Sequence, residues 1–143
     1  MNSNTQIETL SLSFESLKQC YKNDVFTAVD VVNEIFRRIN TRGEDGVWTF
    51  VLKQSEVLQR AKDLMDMDAA SLPLYGIPFC VKDNIHIEGL PTTASCPSIS
   101  FIPEETASVV KRLEDAGAIL IGKNTMDQFA TGLVGVRSPE HPV

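Results

Sequence analysis

A chain of 143 residues, 43% of them hydrophobic and 22% charged, has the composition of one globular domain; it can bury about two thirds of its unfolded surface, which argues against wholesale disorder. A formal net charge of -6 with no Lys/Arg run argues against nucleic-acid binding. The cysteines, Cys20, Cys80 and Cys96, are odd in number and widely spaced, so reduced thiols in a cytoplasmic protein are expected, with no metal site and no cofactor. The opening "MNSNTQIETL" lacks the pattern of a signal peptide and "AILI" is too short to cross a bilayer, so no membrane partner is expected either.

In chain order, Phe14, Leu17, Cys20 and Tyr21 recur at helical spacing. A second helix opens near Thr27, with Asp30 three residues on as its capping-box partner; it carries Val32, Ile35, Phe36 and Ile39 on one face and stops near Gly43. Residues 1–45 therefore read as a leading helical segment, and residues 46–143 as the start of an α/β core. "VWTFVL" predicts a strand, and Leu58, Ala61, Leu64 and Met65 mark a further helix. Gly76 and Pro78 punctuate the chain before the strand "FCVKD". The stretch from Glu88 to Glu105, with Gly89, three prolines and many hydroxyls, reads as loop. Thr106 caps a helix with Val109, Val110, Leu113 and Ala116 facing inward, Gly117 ends it, and "AILIGK" follows as a buried strand. Asp127 to Thr131 turns back toward helix. A helix feeding directly into a buried strand is the mark of an α/β fold.

Two apparent motifs fail on context. "GAILIGK" has the spacing of a phosphate-binding loop, but strand formers occupy the turn and Asn124 stands where Ser or Thr is needed. "HIE", His86 to Glu88, has no paired cysteines downstream to complete a zinc site, which leaves His86 as a polar strand-end residue. Lys82 is harder to place. A lysine ending an apolar strand next to Asp83 is most often a paired or snorkelling structural residue, whereas one kept neutral by desolvation can accept a proton.

"GIPFCVKDNIHIEGLPTTAS" followed by "TASVVKRLEDAGAILIGKNTMDQFATGLVGVRSP" resembles the amidase signature family of Ser-Ser-Lys hydrolases. "DQFATGLVG" and "VRSP" are similar to its allophanate-hydrolase branch, which serves urea degradation. The resemblance runs from about Leu74 to Pro139, and the front helices and "VWTFVL" fit more loosely. It implies the amino-terminal part of a three-layer α/β/α domain with leading helices, and a small amide substrate, allophanate or similar. It also implies that Lys82 is the general base of the triad, taking a proton from a bridging serine that activates the nucleophilic serine. Asp83, Asn84 and Asp127 match the motif as site support rather than as reactants. Thr92, Thr93 and Ser95 match a hydroxyl-rich loop, and each reads equally as a turn former.

The family's two serines lie in a Gly-Ser-rich segment downstream of "DQFATG", which this sequence does not contain. Ser138 comes too early and reads as a turn residue before Pro139. "KNTM" inverts the usual threonine-asparagine order, and "EHPV" replaces an aromatic-glycine turn. Two expectations stand together: a truncated amidase portion inactive without its serine segment, or a stand-alone, non-catalytic α/β binding module. A homo-oligomer stays open, since unpaired strand edges invite association.

Overall fold

The computed structural model describes residues 7–139, and the "EHPV" tail lies outside them. The chain divides into two units, each described by itself. One comprises the residues up to Gly43 together with Lys53–Pro78 and Asp115–Ile119; the other comprises Glu44–Leu52, Phe79–Glu114 and the residues from Leu120 onward.

The first unit is helical. Helix α1, Phe14–Lys22, starts where the Ser13 side chain accepts from the Ser16 amide, and it buries Leu17 while Phe14 stays 40% exposed. Helix α2, Ala28–Arg42, has the capping box that Thr27 and Asp30 predict, and Gly43 at φ 69° ends it. It packs Val31, Val32, Ile35 and Phe36 toward helix α3, Gln54–Met65, whose buried face is Val57, Ala61 and Leu64. Met65, expected on that face, is exposed instead, at the edge of the stripe that Val57, Ala61 and Leu64 make.

A buried acid sits among these helices. Glu34 is 3% exposed and accepts hydrogen bonds from Arg37 Nε at 2.7 Å and Arg38 Nε at 2.6 Å. Arg38 reaches on to the Leu10 carbonyl at 2.8 Å, tying the residues before α1 to α2. A glycine makes one close approach possible. Gly76, at φ 68°, lies under the Tyr21 ring, where a Cβ would be 2.8 Å from ring carbons, and the Tyr21 hydroxyl donates to its carbonyl at 2.8 Å.

The second unit holds the sheet, ordered β1-β3-β2. β1 is Trp48–Val51, β2 is Pro78–Lys82 and β3 is Ile119–Asn124. β1 runs antiparallel to β3 with an irregularity between Trp48 and Phe50. Residue numbers climb together along β2 and β3, from the Ile119 amide on the Ile77 carbonyl to the Asp83 amide on the Asn124 carbonyl, so that pair is parallel. Helix α4, Ser108–Asp115, connects them and buries Val110 against Val81, Ile87 and Leu120. Val109, expected inward, is 53% exposed, because the eight-residue helix turns a narrow face inward. The stretch from Asp127 reaches only a 3-10 turn, Gln128–Ala130.

The mixed α/β class expected from the sequence is the observed one. β3 is central and buried on both faces, whereas β2 is an edge strand with Phe79 and Val81 turned inward and Cys80 and Lys82 exposed.

Three outcomes follow from this packing. Val110→Asp buries an unpaired charge and should abolish cooperative urea unfolding or lower stability by about 3 kcal/mol or more. Gly122→Ala places a methyl 2.2 Å from the Phe50 carbonyl oxygen, so β1 should separate from β3, read as lost amide protection at Leu52 and Thr125. The Glu34 carboxyl is held at about 2, chiefly by its hydrogen bond to Arg37. Its folded pKa is depressed, so its contribution is fully present above the ordinary 4.5 and is lost as pH falls toward 2. Acid titration of stability should show that loss in the parent and not in Glu34→Gln.

Candidate active site

The end of β2 is a turn. The Ile85 amide donates to the Lys82 carbonyl at 2.9 Å, so Asp83 and Asn84 occupy its two central positions. Lys82 and Asn84 are exposed there, and the Lys82 side chain makes no hydrogen bond or ion pair among the described residues. Asp83 is fully buried.

The expected pairing of Asp83 with Lys82 is not what the structure has. Asp83 faces Lys123, whose Nζ stands 3.2 Å from Oδ1 with both side chains fully buried. That approach is ionic rather than an aligned hydrogen bond, since Oδ1 has no hydrogen-bond partner. Oδ2 accepts from the Thr93 hydroxyl and from the Ser95 amide, the latter at 3.2 Å. Lys123 donates to the Pro91 carbonyl at 2.7 Å and to Thr92 Oγ1 at 2.9 Å, so three oxygens surround the ammonium. Burial pushes the lysine below its ordinary range, and the Asp83 carboxylate pulls it back.

Sequence reasoning missed Lys123 as a member of this cluster. The signal was there: Ile119, Ile121 and Lys123 alternate along a strand read as continuously buried, and a buried lysine requires a counter-charge. Of the hydroxyls of the 92–95 loop, which the sequence leaves open between roles, those of Thr92 and Thr93 are partners of the Asp83–Lys123 pair, and that of Ser95 accepts from the Met126 amide instead.

Asp127 organises a second loop. Its Oδ1 accepts from the Arg137 amide at 2.7 Å, and Oδ2 accepts from the amides of Val134 at 3.0 Å and Gly135 at 3.1 Å. These bonds, the one from Arg137 foremost, hold its carboxyl below the ordinary carboxylate range against the cost of burial. Gly132 lets the loop close, since a Cβ there would lie 2.5 Å from Asp127 Oδ2. The two loops are joined: the Phe129 amide donates to the Ala94 carbonyl at 3.0 Å and the Met126 amide to Ser95 Oγ at 3.2 Å. Ala94, Ser95, Phe129 and Ala130 all have φ between 50° and 58°, a cluster of left-handed non-glycine residues of the kind that gathers at functional sites. Ser138 is buried rather than displayed on the surface.

Among the described residues no group of three His, Cys, Asp or Glu side chains is arranged to hold a metal ion, and no helix is long and apolar enough to cross a membrane. His86 is exposed, edge-on to Phe101 at 5.2 Å, and all three cysteines are free.

β2, α4 and β3 form a parallel β-α-β unit whose first strand ends in the Lys82 turn, which makes this an α/β protein. The amidase family profile matches residues 30–143. The chain is 46% identical to urea amidolyase of Saccharomyces cerevisiae over 101 residues, 70% of this chain and 6% of that protein. It is 38% identical to a glutamyl-tRNA(Gln) amidotransferase subunit from an Exiguobacterium over 124 residues, 85% of this chain and 26% of that one. Among solved structures, Kluyveromyces lactis allophanate hydrolase superposes with a TM-score of 0.70 at 39% identity, covering 83% of this chain and 20% of that one. The chain belongs to the amidase family, and it spans a small part of the length of these relatives.

Asp127→Ala should free the amides of Val134, Gly135 and Arg137, seen as accelerated hydrogen exchange confined to the 127–137 loop. Acid acts in the same direction. The depressed carboxyl keeps the loop closed above its ordinary pKa of 3.8 and releases it as pH falls through the lower folded value, which amide proton shifts of the three residues should follow.

Proposed function

We propose that residues 1–143 form the lysine-bearing amino-terminal part of an allophanate-hydrolase-like amidase, in which Lys82 is the general base of a Ser-Ser-Lys triad. The observation that carries this reading is the position of Lys82: the lysine of the matched motif ends an edge strand, its amine exposed and without an ionic partner, so it is open to contact with a hydroxyl placed beside it. The identity to urea amidolyase and the likeness to allophanate hydrolase support the choice of a small amide such as allophanate as substrate. Asp83 and Asn84 shape the turn that presents the amine, and Asp127 shapes the loop joined to residues 94–95.

In this mechanism the neutral amine of Lys82 takes a proton from the bridging serine as that serine takes one from the nucleophile. The nucleophile attacks the carbonyl, the C–N bond breaks as the proton returns by the same path to the departing nitrogen, and water then hydrolyses the serine ester, releasing the acyl product and restoring the serine hydroxyl. A charged amine cannot start the sequence, so desolvation by the serine-bearing segment is required to lower its pKa. Residues 1–143 contain neither that segment nor its oxyanion donors, whose loss alone costs about 3 to 4 kcal/mol of barrier.

The polypeptide of these 143 residues should therefore release no ammonia from allophanate above background. Joined to the serine-bearing remainder of K. lactis allophanate hydrolase, it should hydrolyse allophanate, and Lys82→Ala should lower kcat by about 100-fold or more with the fold unchanged by circular dichroism. A chimera equally active without Lys82 would overturn the assignment.

A further inference from the structure

The apolar β3 strand carries one charge to its buried end, and nothing in the proposed reaction uses it. Lys123 Nζ meets Asp83 Oδ1 at 3.2 Å, the Pro91 carbonyl at 2.7 Å and Thr92 Oγ1 at 2.9 Å, and the Lys123, Asp83 and Thr92 side chains are buried. Asp83 follows Lys82 directly in the chain. A carboxylate in that position is the natural counter-ion of a neighbouring amine, and an amine with such a partner stays charged. Here the carboxylate is spoken for on both oxygens.

We propose that Lys123 is a positioning residue: its buried ammonium neutralises Asp83 and clamps the Pro91–Thr92 backbone, so that Lys82 ends its strand with no carboxylate partner. The inference rests on the proposed function only for the reaction that Lys82 serves; the device itself is a matter of this chain's own residues. The ammonium acts through two contacts of different kinds. By charge, it offsets the one carboxylate adjacent to Lys82. By hydrogen bonding, it fixes the loop whose Thr93 hydroxyl and Ser95 amide hold the other carboxylate oxygen, so that Asp83 cannot swing out of the turn. A lysine suits this role because its donors radiate from one atom: two serve the Pro91 carbonyl and Thr92 Oγ1 while the charge faces Asp83 Oδ1.

Competitive labelling of amines with acetic anhydride across a pH series, read by mass spectrometry, tests the charge half on the whole 143-residue chain. In Lys123→Met, Asp83 loses its counter-ion; Lys82, the amine next to it, should become about threefold less reactive at pH 8, with its half-labelling point shifted upward. Adding Asp83→Asn should restore parental reactivity. The reactivity of Lys18 and Lys53, far along the chain, serves as the internal reference. An unchanged Lys82 profile in folded Lys123→Met would overturn the proposal.

The clamp half is read separately in the Lys123→Met/Asp83→Asn variant, which buries no unpaired charge and so stays measurable even where the single variant unfolds. Exchange of the Thr92, Ser95 and Cys96 amides should quicken about tenfold relative to the amides of β3. Equal exchange would overturn it. Neither readout involves hydrolysis, so a chain that never cleaves an amide leaves both results standing, and a working chimera with an unmoved Lys82 profile would sink this inference alone.

Discussion

The buried contact between Asp83 and Lys123 constrains the second unit more than any other. Taking two ions out of water costs several kcal/mol apiece, and their attraction repays this only when the remaining donors and acceptors are satisfied. That requirement dictates the surroundings. The Pro91 carbonyl, Thr92, Thr93 and the Ser95 amide must all lie within reach, so a loop with little apolar content of its own is drawn against the ends of β2 and β3. Such a pair is weak evidence for stability and better evidence for specification: one arrangement of the loop satisfies both ions, and alternatives leave a charge unpaired in the interior.

From this anchor the constraint passes along the backbone to Asp127. The Ser95 hydroxyl accepts from the Met126 amide, and the Ala94 carbonyl accepts from Phe129, so the first loop sets where the second begins. Asp127 then gathers three amides of its own loop, which is how a segment of glycines and small residues acquires a definite path. Four non-glycine residues sit in the left-handed region at this junction, each a conformation that costs energy and persists only because its neighbours over-determine it. The same loop displays Leu133, Val134 and Val136 to solvent, held in place by the carboxylate rather than by burial.

The front of the chain is built on another logic. Glu34 is also a buried acid, but its two arginines come from the next turn of its own helix, so its cluster is local in sequence and largely independent of tertiary detail. Arg38 extends that cluster to the carbonyls before α1. A local ion cluster secures a helix and its approach; a non-local one such as Asp83–Lys123 secures a loop arrangement.

By itself the sequence determined the periodic and the locally encoded features. Thr27 and Asp30 fix the start of α2 through bonds three residues apart, Gly43 and Gly117 end helices because only glycine adopts their φ cheaply, and the run "AILIGK" could be buried strand and little else. The motif around Lys82 was legible for the same reason, since its residues are contiguous. Tertiary structure alone decided which of two adjacent residues faces inward, as with Val109 and Val110 or Lys82 and Asp83, because that depends on which neighbours arrive to cover them. It also decided the partner of Asp83. Lys82 is the nearest cation along the chain, but Lys123 is the one the fold brings against the carboxylate, and an ion pair answers to distance through the fold rather than to separation in the sequence.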